Sequence, residues 1–255
     1  MTGVLPITLE ESRKVVQALL TSGKEYVCVM KLHGDVSEEK IRSTLQEFED
    51  TIYQRPPLRA SVKRQLRTRR IYYIEFLEME GRNVLFKVGC EGGTYIRMLC
   101  HHIGELLGCG AHMQELRRTR AGPFVESEGM VTLHDVAYLF MEWQRTGDDA
   151  ILKKFIHPME RALAFIPKIY IRDSAVDAIC HGASLTAPGV LHLESGIDRG
   201  SLVAIFTLKG EAVALGRAEA STDEILDMYH GIVARTERVL MPRGTYPKYW
   251  KSGEL

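Results

Sequence analysis

The side chains most able to do chemistry crowd into residues 93–120, GTYIRMLCHHIGELLGCGAHMQELRRTR. Arg97 stands just inside an expected helix whose apolar residues Ile96, Leu99, Ile103 and Leu106 recur at helical spacing, which puts it at the edge of the buried face. An arginine cannot shed its charge by losing a proton, so one held there calls for a carboxylate or a phosphate. No carboxylate of its own helix is placed to serve. A structural ion pair or a solvated head group is the alternative. The segment closes, after a Gly-Cys-Gly break, on a strand ending in Arg117, Arg118 and Arg120.

A second cluster lies upstream. Between Arg55 and Arg70 stand seven basic residues, Arg55, Arg59, Lys63, Arg64, Arg67, Arg69 and Arg70, with no acid among them. The net charge of the chain is zero, and its acids concentrate elsewhere, between Glu38 and Asp50 and at Asp148 and Asp149. Uncompensated like charges repel unless phosphates neutralise them, so a polyanion partner is favoured over a merely solvated loop.

Five cysteines, Cys28, Cys90, Cys100, Cys109 and Cys180, form no C-x-x-C pair and read as reduced thiols. Cys100, His101, His102, Cys109 and His112 are close in sequence, yet adjacent helix residues diverge and the spacing fits no standard zinc motif. No metal site is expected.

The elements that must hold these residues can be read from the pattern. YVCVMKLH, from Tyr26, is strand-like; Ser37 caps a helix with Ile41, Leu45 and Phe48 on one face; IYYIEFLEME and VLFKVGC form a hairpin through Gly81-Arg82-Asn83. Thr132 and Asp135 cap an amphipathic helix through Leu133, Val136, Phe140 and Trp143. Beyond Pro167 the chain turns to short strands with glycine punctuation, the size of a small β-barrel-like binding module. With 255 residues, 45% of them hydrophobic, the chain is expected to be globular, and MTGVLPITLEESRK has no signal-peptide character. No run approaches the ~18 to 20 apolar residues of a membrane span, so the expected compartment is the cytoplasm.

With these features assembled, the chain resembles the TruB-type family of RNA pseudouridine synthases, and within it the archaeal dyskerin-like branch of the box H/ACA guide-RNA particle. The resemblance rests on TGVLPI at 2–7, KEYVCVMKLH at 24–33, IYQRPPLRASVKRQLRTRRIY at 52–72, GTYIRMLC at 93–100 and GCGAHMQELRRTRAG at 108–122. SAVDAICHGA, LKGEAVALG and MPRGTYPKYW look like the PUA domain that closes archaeal members. The fold so implied is α+β: a mixed-sheet catalytic domain over residues 1–167, lacking its N-terminal part, then a PUA domain and tail over 168–255.

The resemblance also implies a reaction. These enzymes break the uridine glycosidic bond, turn the base in the pocket and rejoin it through carbon 5, with no cofactor or metal, on a nucleotide taken out of its stack. By motif Tyr26 is the stacking aromatic, Arg97 the partner of the family's aspartate, and Leu116 a pocket wall. RNA contacts are expected from Arg59, Lys63, Arg64, Arg67, Arg69 and Arg70, from Arg117 and Arg118, and from His181, Arg235, Arg238 and Arg243 in the PUA-like part. The partners implied are guide RNA, substrate RNA and the small accessory proteins of the particle, with no membrane. The family's aspartate, in a G-x-L-D-P segment, falls about three residues ahead of Met1, so this chain as written is expected to lack turnover. A non-catalytic RNA-binding scaffold and a stand-alone tRNA enzyme are the other readings.

Overall fold

The computed structural model describes residues 1–57, 62–150 and 152–249. The chain divides into two compact units, Met1–Ile7 with Ala18–Ile156, and Thr8–Gln17 with His157–Leu255. In chain order the elements up to residue 146 are β1 (Thr2–Gly3), α1 (Val16–Thr21), β2 (Lys24–Leu32), α2 (Glu38–Glu47), β3 (Thr51–Gln54), β4 (Arg67–Glu80), β5 (Asn83–Cys90), α3 (Ile96–Leu107), β6 (Ala111–Ala121), β7 (Phe124–Val125) and α4 (Leu133–Thr146).

Seven strands build the sheet of the first unit, in the order β1-β6-β2-β5-β4-β3 with β7 beside β6. The pairing is antiparallel except for β1 on β6, which is parallel, so the sheet is mixed. Alternation along β2 sends Cys28, Met30 and Leu32 inward, where they meet Phe86, Val88, Ile41, Leu45 and the buried stripe of α3. Burying side chains of this size is the main favourable term holding the sheet to its helices, about 1.5–3 kcal/mol each.

Two details depart from the expected pattern. The stripe of α3 is completed by Leu107, while Leu106 is 52% exposed. At ~100° per residue Leu107 returns to within about 20° of Ile96, whereas Leu106 falls about 80° away. The helix stops at Gly108, which takes the left-handed conformation at φ 79° that the Gly-Cys-Gly break suggested. The second departure is α4. Its Thr132–Asp135 capping box is present, but none of its residues is buried, and Leu133 is 72% and Phe140 47% exposed.

The second unit carries β8 (Lys168–Ile171), α5 (Asp173–Cys180), β9 (Leu185–Thr186), β10 (Val190–Leu193), β11 (Leu202–Thr207), β12 (Ala212–Ala218), α6 (Thr222–Leu226) and β13 (Ile232–Val239). Six short strands in the order β10-β8-β11-β12-β13-β9 form its sheet, antiparallel except for β8 on β11. Ile169, Ile171, Val203, Ile205, Val213 and Val233 fill a core of its own. Besides Thr8–Gln17, this unit takes in the chain from His157 onward, ahead of the expected boundary at residue 168. The reason is a 3₁₀ turn, Met159–Leu163, that buries Ala162 and Leu163, while Glu160 accepts a hydrogen bond from the Ala212 N–H at 3.1 Å. Among the described residues no helix is long and apolar enough to cross a membrane.

Candidate functional site

β2, β6 and the start of α3 converge on a cleft of about 300 Å³ lined by Met1, Tyr26, Pro57, Thr94, Tyr95, Ile96, Arg97, Met113 and Leu116. The three residues expected at a reacting uridine, Tyr26, Arg97 and Leu116, are therefore together. Leu116, 9% exposed, stands opposite Cys28 on the neighbouring strand and forms the apolar floor. Among the described residues Arg97 has the only charged side chain of the lining. It is exposed and, among the described residues, has no ion pair.

Tyr26 is half-buried, and burial pushes its phenol above the ordinary value, opposed by the nearby Arg118 guanidinium. The hydroxyl therefore keeps its proton at neutral pH, and its ring offers a flat apolar face with a polar tip. Arg118 also ties down the beginning of the chain. Its Nε donates to the Val4 carbonyl at 2.6 Å, while the Val4 N–H donates to the Arg118 carbonyl at 2.7 Å. Gly3 between them has φ +102°, and a Cβ there would lie 2.1 Å from the Arg118 carbonyl oxygen, so only glycine permits this approach. Met1 is thereby held against the cleft.

Two bulges aim the wall that β6 provides. Its register against β2 shifts between Glu25 and Tyr26 and again between Val29 and Met30, leaving Thr119 and Gln114 without opposite partners. Met113 and Leu116, an odd number of residues apart, thus share the cleft, which strict alternation would forbid. The extra residue Thr119 is itself pinned, its hydroxyl donating to Glu25 at 2.6 Å.

The expected phosphate contacts divide into free and occupied. Lys63 and Arg70 are exposed; Arg64 and Arg67 donate to backbone carbonyls of Pro56 at 3.3 Å and Lys63 at 3.4 Å. Arg69 lies 3.6 Å from Glu91 and is four-fifths buried. Arg59 lies outside the described residues. Arg117 is bound to Glu126 by both Nε and Nη2, which raises the arginine and lowers the carboxylate from their ordinary values, so its charge is already matched.

In the second unit a cleft of about 300 Å³ is lined by Lys14, Cys180, His181, Gly182, Val239, Met241, Pro242 and Arg243. Of the residues expected to contact RNA, His181 and Arg243 line it. Arg238 is exposed outside it, and Arg235 pairs with Glu219 at 2.5 Å. Lys14 is a member that sequence reasoning missed; its Nζ donates to the Leu240 carbonyl at 3.3 Å and pairs with Glu11 at 2.8 Å. Pro57, Tyr95 and Met113 were missed in the first cleft. The one local signal was Tyr95, two residues before Arg97 at the helix start.

Among the described residues no three His, Cys, Asp or Glu side chains gather as metal ligands. Cys100 lies buried with its sulfur 3.6 Å from that of Cys28, and His112 faces His33 at 2.8 Å.

Comparison with known proteins now bears on this geometry. The sequence model of the TruB family pseudouridylate synthase N-terminal domain matches residues 1–96, that of the tRNA pseudouridylate synthase B C-terminal domain residues 97–164, and that of the PUA domain residues 167–240. The chain is 58% identical over 250 residues to a probable tRNA pseudouridine synthase B of Pyrococcus abyssi, covering 98% of this chain and 75% of that protein. It is 59% identical to its namesake in Methanopyrus kandleri, covering 98% and 74%. Among solved structures, a Cbf5-Nop10-Gar1 complex matches with TM-score 0.92 at 57% identity over 96% of this chain and 75% of that one. An H/ACA RNP bound to a substrate RNA containing 2'-deoxyuridine matches with TM-score 0.89 at 54% identity over 97% and 75%. On fold, on sequence over nearly its whole length, and on domain order, this chain belongs to the TruB family of pseudouridine synthases, RNA-modifying isomerases, and carries a PUA domain after its catalytic fold.

Proposed function

We propose that this chain is the catalytic-subunit part of an H/ACA-type particle, in which guide RNA presents a uridine to the cleft at Tyr26, Arg97 and Leu116 and small accessory proteins complete the assembly in the cytoplasm. The observation that carries this reading is the cleft itself: an aromatic face, an apolar floor and, among the described residues, one guanidinium without an ion pair. A flipped base is held by stacking and apolar contact, while the cation orients a carboxylate or phosphate brought beside it. Likeness at 54% identity to an H/ACA RNP bound to a substrate RNA supports the guided mode; ribosomal RNA as the substrate class is what the family resemblance implies. The name of its relatives, probable tRNA pseudouridine synthase B, supports tRNA as a second one.

Among the described residues the lining includes no carboxylate, and the resemblance puts the family's aspartate just ahead of Met1, a lining residue of the cleft. The expected result is therefore that the polypeptide of residues 1–255 binds guide and substrate RNA yet forms no pseudouridine, because positioning survives without the carboxylate and the chemical step does not. Extending the polypeptide with G-x-L-D-P ahead of Met1 is expected to give turnover. A tritium-release assay on both polypeptides decides the matter. Turnover by residues 1–255 alone would overturn the assignment of the aspartate, and failure of both would favour an RNA-binding scaffold.

A further inference from the structure

Gln54 is 2% exposed, at the end of β3 and one turn of chain before the cleft residue Pro57. Both ends of its side-chain amide are used on a single residue, Tyr95. The Tyr95 N–H donates to Gln54 Oε1 at 3.0 Å, and Gln54 Nε2 donates to the Tyr95 carbonyl at 3.2 Å. Tyr95 is the N-cap residue of α3, and its side chain makes no capping hydrogen bond. Its carbonyl also receives the N–H groups of Met98 and Leu99, both at 3.0 Å, so this one peptide begins the helix.

A helix start without a side-chain cap has orphan donors and a loosely defined entry angle. Here the definition comes from outside the helix. The amide of Gln54 pairs with the Tyr95 backbone as a neighbouring strand would, across 41 positions of sequence. The residues whose positions depend on that entry angle, Thr94, Tyr95, Ile96 and Arg97, form one wall of the cleft, and Pro57, three residues after Gln54, belongs to another. A buried primary amide left unpaired is costly, which gives the pair a definite geometry.

We propose that Gln54 is a positioning residue for the pseudouridine-synthase cleft, acting through Tyr95 to set the direction of Arg97. This rests on the reading of that cleft as a uridine site. The test uses the 255-residue chain and two short single-stranded RNAs, one carrying a single uridine and one with an abasic nucleotide in its place. Gln54→Met keeps the volume and removes both hydrogen bonds; Gln54→Glu keeps the shape and the acceptor and sets an oxygen against the Tyr95 carbonyl. For both, hydrogen exchange at residues 95–99 is expected to quicken. The preference for uridine over the abasic RNA should fall about tenfold, and the salt dependence of binding should stay unchanged. A purely structural role would lower the unfolding midpoint and leave the preference within about twofold of the parent. That outcome in either folded variant overturns the proposal. Absence of any uridine preference in the parent chain would overturn the uridine-site reading first, and the positioning role with it.

Discussion

Arg97 differs from the other arginines of its segment in what it touches. Arg117 is held by Glu126, and Arg118 by the Val4 carbonyl with the Tyr26 hydroxyl nearby, whereas Arg97 faces the cleft with no ion pair among the described residues. Its guanidinium is available to orient a reacting carboxylate, and the Tyr26 ring to stack on a base. In an aspartate-extended polypeptide that turns over, Arg97→Ala is expected to slow single-turnover conversion by ~10²-fold or more, since it leaves a carboxylate unpaired in an apolar pocket. Tyr26→Phe keeps the ring and loses only the hydroxyl, so about a tenfold loss of rate is expected with RNA affinity almost unchanged. Equal losses in rate and in affinity would reduce both residues to binding contacts.

At the scale of elements, the basic segment into β4 and the strand β6 have parted roles that composition alone ran together. Lys63 is exposed, and among the described residues Arg64 and Arg67 have only backbone carbonyls as partners, so their charges are open to phosphate. Arg117 and Arg235 already face Glu126 and Glu219. Each alanine substitution at Lys63, Arg64 or Arg67 is expected to reduce the slope of log affinity against log salt by roughly one unit, alike for unrelated RNAs. Arg117→Ala and Arg235→Ala should leave the slope nearly unchanged. RNA titrations at several salt concentrations measure this, and a loss confined to one RNA sequence would mean base contacts instead. The helix, strand and hairpin pattern was legible in the sequence because periodicity of 2 and 3.6 is a local property. The exposed face of α4 was not, since an amphipathic pattern says which face is apolar and not whether anything covers it.

At the scale of the molecule, the PUA-bearing unit has its own core, its own cleft and a contribution from the opposite end of the chain. Lys14 joins His181 and Arg243 there because residues Thr8–Gln17 belong to this unit. The resemblance further implies that the PUA domain grips the ACA end of a guide RNA; on that reading Lys14→Ala and Arg243→Ala should each cut the preference for ACA over a scrambled end by about tenfold. They should leave binding through the basic segment intact. Competition between the two RNA ends for each variant provides the measurement. Full retention of the ACA preference would remove this cleft from guide-RNA recognition.

The sequence by itself determined the elements, their order, the glycine punctuation and the long motifs that mark the TruB and PUA families, because each of these is written in contiguous residues. It also proposed Tyr26, Arg97 and Leu116 as site residues, through the motifs that carry them, and these three line one cleft. Only the tertiary structure decided that Pro57, Tyr95 and Met113 share a cleft with them, that Lys14 lines another, and that Arg117 and Arg235 are already paired. Strand register and bulges settle such neighbours: two extra residues in β6 reverse which side chains face the cleft, and no local period encodes them.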